Sequence, residues 1–284
     1  MIIDSHQHFW DPQRFDYPWM TTGLEPIRRA FGPRDLEPTL SERGVSHTVL
    51  VQAKSSIDET RYLLDIATST RFVAGVVGWV DLTDPGAGDT IARLRGEPGG
   101  EHLVGIRHQV HDEEDRDWLL RQDVRSGLRD LAVAGLTFDF LVRTRELPSA
   151  LQTARMYPDI RFVIDHVAKP PIKEGSIDAW ARAMEPFSEL GNVYCKLSGM
   201  VTEADWGRWT SDQLVPYVQR TLAWFGEDRL LFGSDWPVCL LAARYEEVMH
   251  ALDHALGDIS AKARSKIFGA NAIGFYGLKL QTEG

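Results

Sequence analysis

Eight short runs of apolar and β-branched residues recur along the chain, and their spacing limits the possible folds more than any other feature. They are Ile2–Phe9, His47–Ala53, Val73–Val80, Val104–Val110, Thr137–Val142, Arg161–Ala168, Val193–Met200 and Leu230–Val238. Each has the length and composition of a strand buried on both faces. Successive runs begin 24 to 45 residues apart, which leaves room each time for a crossover helix. Helix start signals fall in several of the gaps. Asp58 precedes ETRYLLDIATS, Asp178 precedes AWARAMEPFSEL, and Ser211 precedes DQLVPYVQRTLAWFG, where Gly226 supplies a stop. Eight strand–helix repeats allow a closed barrel or an open doubly wound sheet. With no glycine-rich phosphate loop after the first strand, the pattern favours an α/β fold of the (β/α)8 TIM-barrel type. No linker, low-complexity tract or charge block divides residues 1–284, so one domain is expected. Asp11–Pro38 and Gly199–Thr210, rich in proline or tryptophan, are expected to be long rim loops that cover a pocket.

Composition narrows the partners. Lys and Arg number 31 against 41 Asp and Glu, a formal charge of -10. That balance opposes nucleic-acid phosphates and anionic membrane surfaces, which attract clustered cations. The opening MIIDSHQHFW has no basic leader or long apolar h-region, and no later run is long enough to span a bilayer. A cytoplasmic location is therefore expected. Cys195 and Cys239 form no Cys-x-x-Cys pair and read as reduced packing residues.

In a barrel, reactive groups gather where strands end. The first run ends Asp4-Ser5-His6-Gln7-His8, and side chains two apart on a strand share a face. His6 and His8 thus converge on one point, as a metal ion or a polarised carbonyl oxygen would require. Nine histidines supply about 0.3 such pairs by chance, so the strand-end context carries the signal. The sixth run ends at Asp165-His166 and the eighth at Gly233-Ser234-Asp235-Trp236-Pro237. His166 and Asp235 join the same rim, with Asp235 a candidate general base or a cap of the next turn. Arg107, His108, Lys54, Lys196 and Lys169, at or after other strand ends, are candidates for binding a hydroxylated or anionic ligand. Trp10, Trp79 and Trp236 are candidate apolar walls. No Gly-x-Ser-x-Gly elbow or P-loop is present.

The motifs DSHQHFW, VGIRH, FVIDHVAKP, KLSG and FGSDWPV, in that order, resemble the amidohydrolase superfamily over nearly the whole chain. Within it, HFWDPQRFDYPWM at the start looks most like the branch of sugar-acid lactonases that includes L-fuconolactonase and L-rhamnonolactonase. The resemblance implies a hydrolase opening a small-molecule sugar lactone, an aldonolactone such as L-fuconolactone. His6 and His8 would be the strand-one pair, His166 the later histidine and Asp235 the catalytic aspartate. Binuclear relatives bridge two metals with a carboxylated lysine and use histidines on two later strands. Here the fourth strand ends in Arg107-His108 and the fifth reads FDF, which disfavours a two-metal centre. One Zn²⁺ on His6, His8, His166 and Asp235 is the alternative to the expected metal-free reaction. In that reaction the three histidines donate N–H groups to the carbonyl oxygen and Asp235 takes a proton from the attacking water. Arg107, His108, Lys54 and Lys196 would orient ring hydroxyls or hold the emerging carboxylate. Two competing readings are a metal-dependent decarboxylase of an aromatic or unsaturated acid and a catalytically inactive sugar-acid binding protein.

Overall fold

The computed structural model describes residues 1–280. Eight parallel strands pair in chain order: β1 (Ile2–Gln7), β2 (Val45–Val51), β3 (Val73–Gly78), β4 (Leu103–His108), β5 (Thr137–Phe140), β6 (Phe162–Ile164), β7 (Val193–Leu197) and β8 (Leu230–Phe232). Each overlaps one of the eight apolar runs. β1 meets β8 at the remaining edge, where His8 N donates to Trp236 O (2.7 Å), Asp235 N to His6 O (2.8 Å) and Ser5 Oγ to Phe232 O (2.6 Å). The sheet is thereby brought round into a (β/α)8 barrel.

Helices α1 (Pro33–Arg43), α2 (Ile57–Ser69), α3 (Ala87–Gly96), α4 (Gln122–Val133), α5 (Leu147–Met156), α6 (Asp178–Met184), α7 (Ser211–Phe225) and α8 (Tyr245–Leu256) each follow a strand. Short α9 (Ala261–Ser265) and α10 (Asn271–Tyr276) come last. The caps differ slightly from the sequence reading. α2 starts two residues earlier than expected because Ser56 Oγ accepts Glu59 N, and α7 is capped by Thr210 with Gln213 Oε1 accepting Thr210 N. Gly226 ends α7 at φ 65°, as expected. The loop after β1 runs only to Gly32, because Pro33 starts α1 and Asp35 accepts the Gly32 N–H. No helix among the described residues is long and apolar enough to cross a membrane.

The barrel interior is layered. Ile3, Val49, Val51, Val77, Val163 and Leu231 pack with Ala272 and Phe275 of α10, which closes the N-terminal end of the barrel. Above this apolar layer the side chains are polar. The β1–β2 register shifts between Asp4 and Gln7, so Ile3, His6 and His8 all face the axis although the first two are an odd three positions apart. Asp4 turns outward instead, to Ser234 Oγ (2.5 Å) and Tyr245 OH (2.9 Å), and ties β1 to the strand-eight loop and α8.

Candidate active site

At the C-terminal end of the barrel, His6, His8, His166 and Asp235 come together. Asp235 Oδ1 lies 3.4 Å from His8 Nε2 and 3.8 Å from both His6 Nε2 and His166 Nε2, and the two β1 imidazoles approach to 3.2 Å. All four are buried. Burial holds all three histidines below the usual imidazole range; the Lys196 cation adds to this at His6. The rings are therefore neutral at pH 7.

Neutrality fixes how each ring is used. His8 Nδ1 lies 2.7 Å from Val51 O, which can only accept, so Nδ1 carries the proton and Nε2 faces Asp235 with a lone pair. His8 is thus an acceptor toward the cavity, against the expectation that it donates to a carbonyl oxygen. His166 Nδ1 pairs with Ser198 Oγ at 2.9 Å. A hydroxyl that donates there leaves His166 Nε2–H pointing at the cluster.

Beneath the histidines lies an ionic layer that the sequence reading did not resolve. Lys196 Nζ contacts Asp139 Oδ2 (2.6 Å), Asp165 Oδ1 (2.9 Å) and His6 Nδ1 (3.0 Å). Arg107 Nη1 reaches Asp165 Oδ2 (3.0 Å) and His6 Nε2 (3.2 Å), while Nη2 donates to the carbonyl and side-chain oxygens of Gln52. Tyr276 OH, from α10, donates to Asp139 Oδ2 at 2.7 Å. Burial pushes Asp139 up to about 6 despite Lys196. Burial acts the same way on Asp165, but Lys196, His6 and Arg107 outweigh it and hold that carboxyl well below its usual range.

The backbone here is strained. His166, Val167, Ala168 and Lys169 all have φ between 48° and 58°, and Asp235 has φ 58°. Left-handed conformation costs roughly 1–2 kcal/mol per non-glycine residue, and such strain concentrates at functional sites. Trp180 Nε1 donates to Val167 O (2.7 Å) and secures the turn. Opposite it, Gly199 has φ 61°, and a Cβ there would run into the His166 ring. A Gly199→Ala protein should lose about 1–2 kcal/mol from backbone strain. Displacement of His166 should also lower turnover about tenfold. Urea unfolding and steady-state rates check both; an unaltered rate would mean that His166 position is not limiting.

A cavity of about 170 Å³ opens onto this cluster. His8, His166, Asp235, Arg107 and Lys169 line it, together with Trp10, Trp19, Gln109, His111 and Asp112. His6 sits just below its floor. The other proposed binding residues lie elsewhere. Lys54 Nζ donates to Asp16 O and latches the β1 loop; Trp79 Nε1 donates to His108 Nδ1, and His108 stacks on Trp118. Trp236 packs edge-on against Phe9 and Phe31 behind Asp235. Lys196 is fully buried one layer down. Gln109, His111 and Asp112 were missed, although they directly follow the fourth strand in RHQVHD; Trp19 hangs from the first loop by an Nε1 bond to Ala53 O.

Nε2 of His6, Nε2 of His8 and Oδ1 of Asp235 lie close enough together to hold one divalent ion such as Zn²⁺, whereas His166, expected as a fourth ligand, does not fall in that cluster although its Nε2 lies 3.8 Å from Asp235 Oδ1. A second triple, His6, Asp165 and His166, is less free, since both Asp165 oxygens already meet fixed cations.

The amidohydrolase family profile matches residues 3–278. The chain belongs to the amidohydrolase family. This amidohydrolase is 43% identical over 281 residues to an L-fucono-1,5-lactonase of Burkholderia ambifaria, covering 96% of this chain and 94% of that one. It is 37% identical to an L-fucono-1,5-lactonase of Burkholderia multivorans, covering 97% and 96%. It also superposes on the crystal structure of a Burkholderia multivorans amidohydrolase with bound zinc, with a TM-score of 0.92 and 37% identity over 98% of this chain and 100% of that one.

Proposed function

We propose that this amidohydrolase hydrolyses a sugar-acid lactone of the L-fucono-1,5-lactone type, with Asp235 as general base. The observation that carries the reading is a buried carboxylate facing a small cavity, ringed by three neutral imidazoles and Arg107. Its support from outside the chain is the full-length similarity to two L-fucono-1,5-lactonases.

The attacking water donates its protons to the converging acceptors Asp235 Oδ1 and His8 Nε2. Asp235 takes one proton as the oxygen adds to the lactone carbonyl. The developing oxyanion meets His166 Nε2–H, with Ser198 donating to Nδ1, and the positive field of Arg107. Asp235 then returns its proton to the ring oxygen as the acyl C–O bond breaks. An ester needs no further help, since its alkoxide leaves more readily than an amine.

A zinc ion held by His6, His8 and Asp235 would supply Lewis-acid polarisation of the carbonyl. We assign the reaction to the side chains alone because Arg107 already sets a fixed cation 3.2 Å from His6 Nε2. The test is a panel of 1,4- and 1,5-aldonolactones followed by proton release in weak buffer, with metal content measured before and after chelation. Chelated protein should keep its activity within about twofold. Recovery only on adding Zn²⁺ would overturn the metal-free assignment, and proton uptake in place of release would mark a decarboxylase.

A further inference from the structure

Lactone hydrolysis turns a neutral ligand into an anion. One water adds across the acyl C–O bond, the ring oxygen becomes a hydroxyl, and the new carboxylic acid gives its proton to solvent. The charge arises in a cavity already lined by the carboxylates of Asp235 and Asp112, so the product needs a facing cation. Among the described residues, two Lys or Arg side chains line that cavity, Arg107 and Lys169. Arg107 is committed, with both terminal nitrogens engaged by Asp165, His6 and Gln52.

Lys169 is placed differently. It leaves the left-handed turn that carries His166, its side chain is 16% exposed, and it divides the cavity from an outer groove bordered by Arg143, Lys173 and Trp206. Its ammonium rests on Glu203 Oε1 at 2.6 Å. Glu203 has a second cation in reach, Arg143 Nη1, 3.6 Å from Oε2. Glu203 therefore keeps a partner when Lys169 turns inward.

We propose that Lys169 receives the carboxylate formed by ring opening, with Glu203, backed by Arg143, as its resting partner. This rests on the lactonase reading above. Lys169 then favours the aldonate over the lactone, and recapture of the ammonium by Glu203 frees the product.

The experiment is calorimetric titration of the full chain with L-fuconate and with the matched neutral 1,5-lactam. Lys169→Met should weaken aldonate binding about tenfold more than lactam binding, and Lys169→Arg should restore most of the difference. Glu203→Gln should tighten aldonate binding. Added salt should weaken aldonate binding to the parent protein and much less to Lys169→Met. Equal losses for the two ligands overturn the inference. Should Lys169→Met fail to fold, Glu203→Gln decides alone: tighter aldonate binding supports the role, unchanged or weaker binding overturns it. A parent protein that opens no lactone removes the functional reading itself, whereas one that opens lactones without this discrimination removes only the role of Lys169.

Discussion

An Asp235→Asn protein should fold like its parent and turn over lactone at least ~10²-fold more slowly. The substitution preserves shape, and asparagine tolerates the left-handed backbone (φ 58°) that position 235 adopts. The backbone bonds that hold the residue, Asp235 N to His6 O and Cys239 N to Asp235 O, do not involve the side chain. What is lost is the group that takes a proton from water and returns it to the ring oxygen. His8 Nε2 remains as an acceptor, but its basicity is lowered by burial, so it is a poor substitute. The electrostatic contribution of His166 and Arg107 survives, so the loss should fall on kcat and leave KM nearly unaltered. Proton-release rates at saturating lactone, with circular dichroism to establish folding, check this. Near-parental kcat in a folded Asp235→Asn protein would remove Asp235 from the mechanism.

The repeat of eight apolar runs was legible because a parallel strand buried on both faces must be apolar along its length, so period and fold class could be read together. His6 and His8 were legible by parity, and His166 and Asp235 because a polar residue ending such a run needs a partner. Depth was not legible. Lys196 does point inward, as its place on β7 allows, but it stops one layer below Ser198 and meets Asp139 and Asp165 instead of a ligand. Those partners lie on β5 and at the end of β6, and no local pattern links them. Lys54, His108 and Trp79 were assigned to the rim from position alone. At Lys54 and Trp79, beyond the last paired residue, the chain turns and alternation no longer says which way a side chain faces, whereas His108 still pairs with Phe140 and alternates with the inward-facing Arg107. The left-handed turn at 166–169 was hidden for a simpler reason: Val-Ala-Lys follow His166 with no glycine, asparagine or aspartate to signal a run of positive φ.

The ionic layer makes the second large prediction. Lys196→Met removes the ammonium that lies between two fully buried carboxylates and leaves Asp139, among the described residues, with the Tyr276 hydroxyl as its one hydrogen-bond donor. Removing one member of a buried ion pair costs about 3–5 kcal/mol, because the remaining charge keeps its desolvation penalty without its partner. The penalty should fall mainly on Asp139, since Asp165 retains Arg107 at 3.0 Å. Asp139 already titrates at about 6 with Lys196 present, so its cheapest response is to take up a proton. The sign of the pH effect follows. A carboxyl whose folded value rises further above its unfolded value of about 3.9 binds its proton more tightly when folded, so Lys196→Met should be least stable relative to its parent at high pH and recover as pH falls toward 5. Adding Asp139→Asn should return much of the lost stability at pH 8 by replacing that charge with a neutral amide of the same shape. Urea midpoints for the parent, Lys196→Met and Lys196→Met/Asp139→Asn at pH 5.5 and 8 give the comparison. A single variant as stable as its parent at pH 8, or a double variant no better than the single, would mean that this layer does not hold the barrel together. His6 connects the result to function, for its Nδ1 rests on the same ammonium that keeps the two carboxylates in place.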